Sequence, residues 1–98
     1  MIIRVVRMTF KEEALNEFLQ IFEKSKERIR SFSGCQHLQL LEDAHASNVY
    51  ATYSIWESET ALNRYRHSEL FGQVWPETKQ LFAAPPVAHS YLQKIKLD

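Results

Sequence analysis

Cysteine occurs once in this 98-residue chain, glycine twice and proline three times. A lone Cys35 excludes a disulfide framework within the chain and suits a reducing compartment. With glycine only at positions 34 and 72, the glycine-rich loops that cradle nucleotide phosphates are missing. Net charge is missing too: twelve basic and twelve acidic side chains cancel. That removes the electrostatic case for nucleic acid or an anionic membrane surface, and it favours self-association. Ile2 to Met8 is far too short for a membrane span, and Arg4 and Arg7 interrupt it, so it does not read as a signal-peptide apolar region either. The expectation is a single soluble, cytoplasmic domain over residues 1–98, able to bury roughly two-thirds of its unfolded surface.

What is present is one pattern written twice. Ile2 to Met8 is a short β-rich run, and Thr9 with Glu12 has the spacing of a capping box that opens a long helix. Leu15, Phe18, Leu19, Phe22, Ile29 and Phe32 form the apolar stripe of that helix. Glu12 and Glu13 lie at its start while Lys24, Lys26, Arg28 and Arg30 lie toward its end, as the helix dipole favours. Gly34 is placed to stop it, since glycine alone enters the left-handed conformation cheaply. Cys35 to Glu42 is a second strand, and Asp43 to Ser47 a polar connection. Val49, Ala51, Tyr53 and Ile55 then alternate with Tyr50, Thr52, Ser54 and Trp56, the period of a strand packed on both faces. Ser58 is a good N-cap for the helix that follows. Val87 to Lys96 is the last strand, beginning where Pro85-Pro86 allows. The order β-α-β-β-α-β predicts an α+β, ferredoxin-like fold, an antiparallel four-stranded sheet with its helices on one face.

The second helical region is where a pocket is expected. Leu70, Phe71, Val74, Trp75, Thr78, Leu81 and Phe82 make an apolar stripe interrupted by Pro76, which predicts a kink or restart near Trp75-Pro76. A lifted helix leaves a cleft lined by Trp75, Phe71, Tyr65 and side chains of the first and third strands, unless those aromatics simply fill core. No metal site can be read from the histidine spacing, and Cys35 at a strand start reads as a small buried hydrophobe. His89 and His37 fall on strands, where an inward imidazole can act as a general base, while His67 lies at the break before Ser68. Arg4 and Arg7 fall on opposite faces of the first strand. Whichever points inward needs an anionic partner, either a glutamate or a substrate oxygen.

The run W-x-S-x-x-A-L at Trp56 to Leu62, followed by S-x-x-F at Ser68 to Phe71, resembles the antibiotic biosynthesis monooxygenase domain. Ser33-Gly34-Cys35 also looks like that family's helix-to-strand turn, so the resemblance covers nearly the whole chain. It implies a dimeric α+β barrel, a homodimer whose sheets face each other, and it covers enzymes that oxidise aromatic polyketides with molecular oxygen and no bound cofactor. Such chemistry needs a water-poor pocket, a base to ionise a phenol, and polar groups to hold the anion. The residues available for it are His89, Tyr65 and Arg4 as candidate catalytic groups, with Tyr53, Phe71, Trp75 and His67 as candidate substrate contacts. Many family members carry a histidine nine residues after the strand-end tryptophan. Here that position is Tyr65, and histidine comes two residues later. The haem-degrading branch of the superfamily is excluded, because its three key positions fall near Val6, Tyr65 and Trp75. Two functions follow: a cofactor-independent oxygenase acting on a small, partly aromatic molecule, or a non-catalytic ligand-binding or structural dimer on the same fold.

Overall fold

A computed structural model describes all residues 1–98. Strand β1 (Ile2–Thr9) leads through a short 3-10 turn (Glu12–Ala14) into helix α1 (Leu15–Arg30), then β2 (Cys35–Glu42) and β3 (Val49–Trp56). Helices α2 (Glu59–Arg66) and α3 (Glu69–Lys79) follow, and β4 (Val87–Leu92) closes the order. The sheet runs β2-β3-β1-β4 with every neighbouring pair antiparallel. This is the ferredoxin-like arrangement read from the sequence. Helix α1 packs on β2 and against α3, and α2 packs on β3.

Local chemistry explains most of the boundaries, and it corrects several expectations. Ser58 caps α2, its Oγ accepting the Ala61 amide at 3.1 Å, and Ser68 caps α3 through the Phe71 amide at 3.1 Å. The Thr9–Glu12 capping box does not form. Thr9 belongs to β1, Lys11 precedes the 3-10 turn without a side-chain cap, and the chain is held there by backbone bonds from Phe10 to Asn48 and from Lys11 to Leu81. Gly34 is not the helix stop either: α1 ends at Arg30, and Gly34 lies in the turn that follows, with φ +90°.

The break in the second helical region falls at His67-Ser68, and α3 continues through Pro76 to Lys79. Proline is tolerated because the acceptor it abandons, the Gly72 carbonyl, belongs to an exposed residue that water can reach. β4 ends at Leu92 rather than Lys96, since beyond it no strand partner remains. No helix is long and apolar enough to cross a membrane.

Alternation along the strands sorts side chains onto two faces. On the helix side, two apolar clusters form the core. One gathers Ile2, Cys35, Trp56, Ala61 and Leu62, with Phe32 and Tyr65 packed against it. The other gathers Met8, Phe10, Ala14, Phe18 and Leu81 at the opposite end. Between Ile2 and Met8 on the same face of β1 stand Arg4 and Val6, and there the apolar packing gives way to a cavity. All six residues of β4 are exposed.

Candidate functional site

The cavity follows from one polar row in an otherwise apolar ladder. Across the sheet, Leu38 pairs with Ser54, Ser54 with Arg4, and Arg4 with Ser90. The next row is Leu40, Thr52, Val6 and Ala88. The serines are too small to fill the volume that larger side chains fill in the two flanking clusters, and Arg4 turns to Ser90, so a space of about 230 Å³ remains beneath the helices. Its roof is aromatic. Tyr65 stacks on Trp56 with ring centroids 4.9 Å apart, meets Phe71 edge-on at 5.2 Å, and Phe71 stacks on Trp75 at 5.6 Å. Such offset and edge contacts hold the rings in fixed orientations. The break at His67-Ser68 lets the roof turn, so that α2 supplies Tyr65 and Arg66 while α3 supplies Phe71, Val74 and Trp75.

Polar groups at the site are few. Arg4 donates from a guanidinium nitrogen to Ser90 Oγ at 3.0 Å, and Trp56 Nε1 donates to Ser54 Oγ at 3.0 Å. Burial, and then the nearby Arg66 charge, push the Arg4 pKa down. Burial, with a smaller contribution from Cys35, pushes the Tyr65 phenol up to about 12. Tyr65 is therefore a hydrogen-bond donor at neutral pH, not a base. Apart from Arg4, Tyr65 and Arg66, nothing on the lining ionises: it has no histidine, carboxylate, lysine or cysteine.

The Tyr65 shift has a measurable consequence for stability. Between pH 10 and 12 an unfolded chain releases the phenolic proton while the folded chain retains it, so stability falls as pH rises through that window. The native protein is expected to lose about 2 to 3 kcal/mol more than Tyr65→Phe between about pH 9 and about pH 12. Urea denaturation across that range, with ultraviolet titration of the phenolate band, measures it.

Four of the residues singled out from the sequence, Arg4, Tyr65, Phe71 and Trp75, line this one cavity. Three do not. His89 and Tyr53 pair with Val5, one residue out of step with Arg4, so they stand on the opposite face of the sheet. His89 does lie near Tyr91, with ring centroids 6.1 Å apart, but on that outer face. His67 is the exposed residue ending α2, its Nδ1 donating to the Asn63 carbonyl at 2.8 Å. Arg7 also points outward, to Asp43 at 3.1 Å. Cys35 is buried, its thiol pushed up by desolvation.

Sequence reasoning did not single out Arg66, Ser54 or Ser90 as site residues. Ser54 carried a signal, a small polar residue in the middle of an aromatic-rich strand. A wider depression between α1 and α3, lined by Glu17, Lys24, Arg28 and Glu77 among others, mixes both signs of charge and gathers no comparable chemistry.

An antiparallel sheet roofed by helices over a small, aromatic, arginine-bearing cavity defines a class of compact α+β domains. Within that class the chain belongs to the antibiotic biosynthesis monooxygenase family, whose model matches residues 1–75. A crystal structure described as an antibiotic biosynthesis monooxygenase superposes with a TM-score of 0.91 at 17% identity, covering 97% of this chain and all of that one. A conserved protein from Methanosarcina mazei Go1 gives 0.90 at 20% identity, covering 96% and 94% of the two chains. A family protein from Caulobacter crescentus CB15 gives 0.88 at 20% identity, covering 97% and 90%. At these identities the likeness is one of fold. Comparison with curated proteins gives no match.

Proposed function

We propose that the protein is a cofactor-independent monooxygenase-like enzyme acting on a small, partly aromatic molecule, and that it works as a homodimer joined through its open sheet faces. The observation that supports the enzyme reading is the cavity: mostly apolar, aromatic, closed on one side by the sheet, and lined by both a cation and a neutral phenol donor. An electron-rich phenol or enol, once ionised, can give electrons to dioxygen. One oxygen atom enters the product and the other leaves as water, and the substrate supplies all the electrons. In this scheme Arg4 holds the substrate oxyanion, Tyr65 donates a hydrogen bond to it, and Phe71 and Trp75 pack the ring and exclude water.

The absence of any base on the lining favours the second reading, a ligand-binding domain without turnover. Oxygen uptake with a panel of dihydroxyaromatics separates the two. Under the enzyme reading, Tyr65→Phe is expected to lower kcat/KM about a hundredfold, as loss of an oxyanion donor does. His89→Ala, on the far side of the sheet, leaves it within about twofold instead of the hundredfold that loss of a general base costs. Ligand binding with no oxygen uptake from any member of the panel would establish the second reading.

A further inference from the structure

The cavity holds two arginines and no compensating charge. Arg4 reaches it from the floor and Arg66 from the exposed end of α2, where the cavity meets solvent. The chain's ion pairs are Arg7 with Asp43 and Lys26 with Glu23, and neither involves these two residues. Arg4 has only the neutral Ser90 hydroxyl as a side-chain partner, although a guanidinium offers five N–H donors and stays charged at any working pH. Two like charges beside one apolar space repel each other, and burial of the inner one worsens the balance. No group on the lining can relieve them: there is no carboxylate, and the one phenol keeps its proton. No side chain on the lining supplies a compensating charge, and an anionic ligand would.

Size and shape narrow the ligand further. A volume of about 230 Å³ lies below the range of drug-sized sites and admits one or two rings. The stacked pair Phe71 and Trp75 offers those rings a flat surface. Building on the reading of the cavity as the substrate site, we propose that it takes a small aromatic or quinonoid monoanion, a carboxylate or an already ionised enol, whose oxyanion sits between Arg4 and Arg66 while its rings lie against Phe71 and Trp75. In the enolate case this accounts for the missing base. A substrate acidic enough to be ionised in water, or made so by two guanidinium groups, has no proton for a histidine to remove.

Calorimetry on the intact protein at neutral pH tests this with two matched pairs of probes: naphthoate against naphthamide, and hydroxynaphthoquinone against its methyl ether. Within a pair the shape is nearly constant and only the charge changes. At least one anion is expected to bind about tenfold or more tightly than its neutral partner, as charge-assisted pairing with a guanidinium implies. Which anion shows the preference identifies carboxylate or enolate as the source. Arg66→Gln and Arg4→Gln should each lower that anion's affinity about tenfold while leaving the neutral partner within about twofold. Arg66 is exposed on α2, so its variant reports even if Arg4→Gln does not fold. Equal binding of anion and neutral in both pairs overturns the charge assignment and leaves the cavity as a ligand site. Failure of all four probes to bind overturns the charge assignment and the cavity reading together.

Discussion

Gly34→Ala is expected to destabilise the fold by about 3 kcal/mol or more, a large share of what a domain of this size has in reserve. Two independent penalties add. At φ +90° an L-residue meets its own carbonyl, which costs about 1 to 2 kcal/mol. An added Cβ would also stand 2.5 Å from the Ala61 Cβ, an overlap that neither backbone can relieve cheaply, and overpacking of this kind costs about 1 to 3 kcal/mol. The close approach is structural. The Gly34 carbonyl accepts the Glu57 amide at 2.8 Å, binding the turn before β2 to the end of β3, and Ala61 in the first turn of α2 sits directly over that junction.

Urea denaturation measures the loss. Ala61→Gly in the Gly34→Ala background separates the terms, because it removes the overlap and leaves the backbone strain. The double variant should recover about half of the loss, less the roughly 1 kcal/mol that glycine costs inside a helix. An unchanged midpoint in Gly34→Ala would show that the turn reaches β2 without a left-handed residue.

The turn and its neighbours show how far the sequence could be read. Gly34, Ser58 and the alternation from Val49 to Trp56 are local signals, each set by the conformational preferences of one or a few residues, and they placed β2, β3 and the start of α2 where they lie. The Thr9–Glu12 pair carried the same kind of local signal and failed. β1 runs on through Thr9, where it pairs with Val49, and tertiary pairing outweighs a cap of about 1 kcal/mol. The helix does not restart at Pro76 for a related reason, because the cost of a helical proline depends on whether the orphaned carbonyl can find water.

The site residues divide along a different line. Tyr65, Phe71 and Trp75 sit on helices whose apolar stripe can face only the sheet, so their inward placement was readable. Strand residues lack that asymmetry in this chain. Both sheet faces carry apolar side chains, so alternation shows that Arg4 and His89 fall on opposite faces only once the β1–β4 register is known. A one-residue shift of that register would have exchanged Ser90 for His89 beside Arg4.

The face that received His89 carries the second large expected effect. Val5 lies at its centre, between Tyr53 of β3 and His89 of β4, with Ile3 and Ile55 in the next row and Leu41, Val87 and Tyr91 exposed toward its edges. No helix of the chain covers this surface, and an antiparallel sheet with apolar side chains on both faces calls for a second layer. In a two-fold dimer each Val5 meets the partner's sheet, and a substitution acts twice. Val5→Glu then places a carboxylate from each protomer in that contact, and desolvation is expected to weaken the dimer about a thousandfold or more.

The protomer itself should stay folded, because Val5 is only partly buried within one chain and lies outside both core clusters. Light scattering at micromolar concentration should accordingly return twice 11.6 kDa for the native protein and 11.6 kDa for Val5→Glu, with the same helical circular dichroism. Gln20→Glu, a charge added on the exposed side of α1, should leave the dimer intact. A native protein that scatters as a monomer would leave the sheet face without the partner its composition requires.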